Sequence, residues 1–146
     1  MGAGLYLHVP FCRRKCPYCN FYSVPAQPEL LAAYAAAVCR NLRHYGNAAQ
    51  PERVDTVYFG GGTPSLLLPA QIAQILETAA EQFALSADAE ITLEANPATV
   101  TPEQLRELRH AGINRLSLGV QSLSDAQLKR LGRLHTAQEA VETVYA

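Results

Sequence analysis

Short runs of β-branched, aromatic and leucine residues alternate along the chain with longer stretches whose apolar residues recur every three or four positions. Leu5–Val9 is apolar apart from His8, Thr56–Phe59 reads TVYF, Glu90–Glu94 reads EITLE and Arg115–Val120 reads RLSLGV. Such compact runs, closed by Gly, Pro, Asn or Gln, predict strands. Between them, Leu31, Tyr34, Ala35, Val38 and Leu42 keep helical spacing, as do Ile72, Ile75, Leu76, Ala79 and Phe83. Pro69 suits the first turn of the second helix. Thr101 and Gln104 form a capping box for a third helix that opens on Pro102 and stops at Ala111-Gly112. Ser124 with Gln127 predicts a short helix ended by Gly132, and Thr136 with Glu139 opens another whose apolar face starts at Ala140, Val141 and Val144.

The order β-α-β-α-β-α-β-α predicts an α/β fold with parallel strands joined by crossovers. Four β-α units do not close an eightfold barrel, which takes about 250 residues. The expectation is an open sheet or the front part of a larger barrel, and the stop inside a helix favours the second. No linker or repeat divides the chain, so residues 1–146 read as one domain. The last strand, with Leu116, Leu118 and Val120, would leave an edge uncovered, and such an edge leads to pairing between copies of the chain.

Composition narrows the classes. With 49% hydrophobic and 17% charged residues the chain can bury a core and is no disordered polyelectrolyte. Twelve Lys+Arg against thirteen Asp+Glu, net charge -1, give no global attraction for nucleic acid or anionic lipid. No apolar run approaches the roughly 20 residues of a membrane span. The start, MGAGLYLHVPFC, lacks the basic and long apolar regions of a secretory signal. The expected location is the cytoplasm. There, three cysteines within eight residues, Cys12, Cys16 and Cys19, point to metal or redox chemistry more than to disulfides.

In a parallel sheet the loops after the strands' C-terminal ends share one face, where ligands bind. After the first strand comes FCRRKCPYCNFYS, with cysteines spaced C-x3-C-x2-C and Arg13, Arg14 and Lys15 between the first two. Soft thiolates select zinc or iron–sulfur clusters, and nearby cations favour the thiolate. A zinc site completed by Cys39 or His8, a Cys16/Cys19 dithiol, and free thiols beside a charge run are the alternatives. After the second strand, GGGTPS (Gly60–Ser65) is either an anion-binding nest of N–H groups or a tight strand-to-helix turn. It is neither a Walker loop nor a dinucleotide fingerprint. Glu94, in LEANP, can accept hydrogen bonds after the third strand, and Gln121, in GVQS, can donate and accept after the fourth; each is otherwise a solvated edge residue. Arg133 can pair with a carboxylate or stand exposed. Cys39 reads as a core residue, and His44, His110 and His135 as surface or capping histidines.

Taken together, LYLHVPFCRRKCPYCNFYS, YFGGGTPS, LEANP and LGVQS resemble the radical S-adenosylmethionine (SAM) superfamily over nearly the whole chain, and within it the oxygen-independent coproporphyrinogen oxidase group. The resemblance implies a [4Fe-4S] cluster on Cys12, Cys16 and Cys19 whose open iron chelates SAM. It implies SAM contacts from Tyr6, Tyr18, Gly61, Gly62, Thr63, Glu94, Gln121 and Arg133. The oxidase branch carries a further cysteine where this chain has Phe21, and Phe21 is the pattern of the HemW-like branch, whose members bind heme and deliver it to target proteins. The family core continues through two more strands, another acidic SAM contact and a C-terminal domain, so the resemblance implies an incomplete (β/α) barrel.

Overall fold

The structure, a computed structural model, describes residues 2–48 and 53–146. Its main sheet has four parallel strands in the order β1 (Ala3–Val9), β4 (Arg53–Gly61), β5 (Ala84–Ala95) and β6 (Arg115–Leu118). Helix α1 (Pro28–Ala48) leads from the first to the second, α2 (Pro69–Gln82) to the third and α3 (Pro102–His110) to the fourth. Two shorter helices, α4 (Asp125–Arg130) and α5 (Ala137–Tyr145), follow. Every strand lies beside its successor, without the reversal of order that marks a doubly wound sheet, so the sheet has the order of a barrel wall. No helix among the described residues is long and apolar enough to cross a membrane.

The side-chain alternation of the strands explains the layers. Leu7, Val9, Val57, Phe59 and Leu93 are buried in one core with Ala35, Cys39 and Leu42 of α1, Ile72, Ile75, Leu76 and Ala79 of α2, and Leu108 of α3. These are the positions that helical and strand spacing select, Cys39 included. Tyr6, His8, Tyr58, Thr92 and Glu94 point to the opposite face. Tyr6 stacks on Tyr58, ring centroids 6.1 Å apart. Capping follows the sequence signals at Thr101, whose hydroxyl accepts from Gln104 N–H at 3.3 Å, and at Thr136, which accepts from Glu139 N–H at 3.2 Å. Gln127 departs from expectation: its side chain meets the Ser122 hydroxyl at 2.6 Å, and Ser124 makes no side-chain cap.

Several strand boundaries differ from the sequence pattern, most of all in β5 and β6. β5 begins at Ala84 because Ala84 and Leu85 pair with Arg53 and Val54; Glu90 then pairs with Thr56, and the residues between bulge out. β6 ends at Leu118, and the chain turns at Gln121, whose φ of 68° lies in the left-handed region. A second sheet, β2 (Phe11–Cys12) with β3 (Val24–Pro25), is too short to leave a periodic signal. It closes the base of the cysteine loop, with Val24 N–H on Pro10 C=O at 2.8 Å and Ala26 N–H on Cys12 C=O at 3.0 Å.

The loop after β4 packs backbone to backbone against this base. Gly62 N–H donates to Val9 C=O at 2.8 Å and Thr63 N–H to Phe11 C=O at 2.7 Å. A methyl group on Gly62 would lie 2.6 Å from the Phe11 carbonyl oxygen and 2.9 Å from that of Val9. Main-chain atoms cannot yield as a flexible side chain can. Gly62→Ala should therefore destabilise the fold by more than about 1 kcal/mol, read as a lower midpoint of thermal unfolding; an unchanged midpoint would show that the two loops separate without cost.

Candidate functional site

A cavity of about 530 Å³ opens at the C-terminal ends of the strands. Its walls are the cysteine loop, the Gly61–Thr63 turn, the end of β5, the end of β6 and the segment after α4. The lining includes Cys12, Cys16, Cys19, Tyr18, Gly61, Gly62, Thr63, Glu94, Gln121 and Arg133. Of the residues singled out in the sequence, Tyr6 stands apart: its phenol meets His8 Nδ1 at 3.0 Å on the open face of β1 and does not line the cavity.

The three thiols are half-buried. Cys12 Sγ accepts from the Thr63 hydroxyl and Cys16 Sγ from Arg133 Nη1, each at 3.6 Å. Among the described residues, no three His, Cys, Asp or Glu side chains converge as a single-ion site. Cys39 is no fourth ligand, because it lies in the core with its thiol 3.8 Å from the Gln74 carbonyl. Thiols spread along a loop suit a multinuclear cluster, whose ligands bind separate irons, better than one tetrahedral zinc. Two buried side-chain polar atoms among the described residues have no hydrogen-bond partner, Ser23 Oγ and Arg133 Nε, and both belong to residues lining this cavity. Soft donors and unmatched polar atoms at one cavity fit an iron–sulfur group with a polar ligand.

The reading of Gly60–Ser65 as an anion-binding nest does not hold. Gly61 N–H donates to Glu94 Oε2 at 3.1 Å, and the next two N–H groups are engaged by Val9 and Phe11. The glycines serve the tight turn. Glu94 is a bridge, its other oxygen accepting from the Tyr58 hydroxyl at 2.7 Å. That bond, with burial, holds the Tyr58 phenol above the ordinary tyrosine value. Burial also raises Tyr18, with Arg133 pulling the other way. Among the described residues, Arg133 pairs with no carboxylate. Its Nη2 donates to Asn96 Oδ1 and to Gly119 C=O, the latter at 2.6 Å.

Among the lining residues missed in the sequence are Asn96 and His135. Asn96 sits two positions beyond Glu94, so strand alternation aims both at one side, a signal present in LEANP. His135 is a correction: it is buried at 4% exposure, with Nε2 on the Val120 carbonyl at 3.0 Å. Nothing in its local sequence marks that burial. His110, by contrast, caps its own helix through the Arg106 carbonyl at 2.7 Å, and His44 lies exposed against Tyr45. His8 does face the cysteine-loop side, with Nε2 3.4 Å from the Tyr22 carbonyl.

Residues 6–146 match the family model of the Radical SAM superfamily, and the chain belongs to that family. It is 44% identical to the heme chaperone HemW of Escherichia coli (strain K12) over 138 residues, 94% of this chain and 36% of that protein. It is 42% identical over 142 residues to the mitochondrial radical S-adenosyl methionine domain-containing protein 1 of Mus musculus, covering 97% of this chain and 32% of that one. The solved structure of the coproporphyrinogen III oxidase HemN from Escherichia coli, a radical SAM enzyme, superimposes with a TM-score of 0.89 at 29% identity, covering 97% of this chain and 33% of the other. The chain thus spans about a third of the length of these relatives.

Burial holds the His135 imidazole below the ordinary histidine value; Arg133 acts in the same direction, while the bond to Val120 and the charge of Glu139 oppose it. Protonation is then easier in the unfolded chain. The stability contributed by the neutral ring is complete above a pH of about 6.5 and is lost as the pH falls below it. Thermal unfolding of the metal-free chain should move to lower temperature between about pH 7.5 and 5.5, and His135→Gln should flatten that dependence. An identical slope in the variant would assign it to other groups.

Proposed function

We propose that Cys12, Cys16 and Cys19 hold a [4Fe-4S] cluster, that the cavity beside them takes SAM, and that the chain is part of a HemW-like heme chaperone. The observation that carries this reading is the meeting, in one cavity, of the three-cysteine loop with Glu94, Gln121 and Arg133 from three other chain segments. A cluster held by three thiolates supplies an open iron for chelation and an electron for the sulfonium of SAM. The chain's own residues orient and enclose. Arg133 brings a half-buried cation to the Cys16 thiol, the Glu94 carboxylate faces the cavity between Tyr58 and Gly61, and the cysteine loop covers one side.

Heme delivery rests on the likeness to HemW and on the rim of the site. Tyr18, Phe21 and Tyr22 are exposed there, in the same loop as Arg13, Arg14 and Lys15. Aromatic surface beside cations suits a flat apolar ligand that carries carboxylates. Phe21, where the oxidase branch has a further cysteine, speaks against turnover of coproporphyrinogen. Heme-receiving proteins are the partners this reading implies, and a soluble cytoplasmic setting is its expected context.

After anaerobic reconstitution, about four irons and four sulfides per chain with a broad brown absorbance are expected. Cys16→Ser should lose most of that iron and Cys39→Ser should keep it; the reverse pattern would overturn the ligand assignment. Zinc at one per chain in a colourless protein would replace the cluster by a structural metal.

With the cluster in place, Glu94→Ala should weaken SAM binding in calorimetry by about 1.5–3 kcal/mol, the magnitude of a lost hydrogen bond to a charged group. Unchanged affinity would leave Glu94 as a strut between β4 and β5. A heme titration followed by absorbance tests the chaperone reading separately, and oxidation of coproporphyrinogen without heme binding would favour the oxidase.

A further inference from the structure

Asn96, the residue that enters the 3-10 turn Pro97–Thr99, joins two of the loop thiols through hydrogen bonds. Its Oδ1 accepts from Arg133 Nη2, and Arg133 Nη1 donates to Cys16 Sγ at 3.6 Å. Its Nδ2 donates to Thr63 Oγ1 at 3.1 Å, and that hydroxyl donates to Cys12 Sγ at 3.6 Å. The amide orientation is forced, because a guanidinium only donates and must face the oxygen. The donors therefore run in one direction, from the Arg133 cation through the amide and the hydroxyl to the Cys12 sulfur. Each bond polarises the next. One cation thus serves two sulfurs, Cys16 directly and Cys12 through Asn96 and Thr63.

We propose that Asn96 is a positioning residue that delivers this polarisation to the sulfur ligands and thereby sets the reduction potential of the cluster. The inference rests on the cluster assignment above. Hydrogen bonds to ligand sulfurs favour the more negative, reduced state, so their loss lowers the potential. The backbone of Asn96 is held independently of its side chain: its N–H meets Thr99 Oγ1 at 3.2 Å, and its carbonyl accepts from the Thr99 hydroxyl at 2.7 Å. Truncating the side chain should leave that turn in place.

The test is a redox titration of the anaerobically reconstituted chain, followed by electron paramagnetic resonance of the reduced cluster, with iron content measured on each sample. Asn96→Ala should retain its iron and become harder to reduce by about tenfold in the equilibrium, which is about 59 mV for one electron. Asn96→Asp keeps the acceptor for Arg133 but turns the Thr63 hydroxyl toward the new carboxylate, so it should shift the same way. Thr63→Val should reproduce the shift, and adding Asn96→Ala to it should lower the potential by less than the two single shifts combined. Wild-type potential in Asn96→Ala and Asn96→Asp with iron retained would overturn the proposal, as would full additivity with Thr63→Val. Absence of a cluster from the wild-type chain would instead defeat the functional reading on which it stands. Should Asn96→Ala fail to fold, Thr63→Val and Asn96→Asp decide the outcome.

Discussion

The ligand face depends on two backbone hydrogen bonds between loops, Gly62 N–H to Val9 C=O and Thr63 N–H to Phe11 C=O. They join the end of the first strand to the turn after the second at a distance only a glycine allows. Phe11 and Cys12 also form β2, so the same contact fixes the base of the cysteine loop. Thr63 is then placed so that its hydroxyl reaches Cys12, and Asn96 in turn reaches Thr63. Removing that backbone contact would separate the three thiols from the sheet that orients them.

Among the described residues, helices α1, α2 and α3 cover one side of the sheet, and the other side carries a different chemistry. Beneath α1, α2 and α3 the strands contribute Leu, Val and Phe to the core. On the open side they contribute Tyr6, His8, Tyr58 and Glu94, tied by the Tyr6–His8 and Tyr58–Glu94 hydrogen bonds. This asymmetry belongs to a barrel wall, whose concave side is reserved for what the barrel encloses. β6 pairs with β5 along one edge, and Leu116 at that end is 38% exposed.

The four main strands and their helices were legible because apolar periodicity is a local property, and burial of one face is all it has to satisfy. The capping boxes at Thr101 and Thr136 were legible for the same reason, since partner and cap lie three residues apart. The three-cysteine loop on the ligand face was legible from spacing, while the cluster and SAM roles proposed for this cavity rest on resemblance. What escaped was set by meetings across the chain. The Arg133–Asn96 bond spans 37 residues and the Asn96–Thr63 bond 33, and no local pattern announces either. The glycine turn stayed open between two readings because its N–H groups, free in isolation, are taken by Glu94, Val9 and Phe11 only once the sheet forms. His135 misled because its burial comes with a partner, the Val120 carbonyl, that lies 15 positions away.

The contact between Arg133 and Cys16 also carries a statement about time. The two residues are 117 positions apart, and Gly132, with φ of 70°, brings the backbone so close to Pro17 that a methyl group there would lie 2.8 Å from its ring. A loop of that length closes late, after the nearer strand pairings have formed, because its closure entropy is recovered only by contacts at the end. The contact between the cysteine segment and Arg133 therefore rests on the strand pairings that bring them together. The pairing of the cysteine loop with its guanidinium partner is thus a property of the assembled sheet and of neither segment alone.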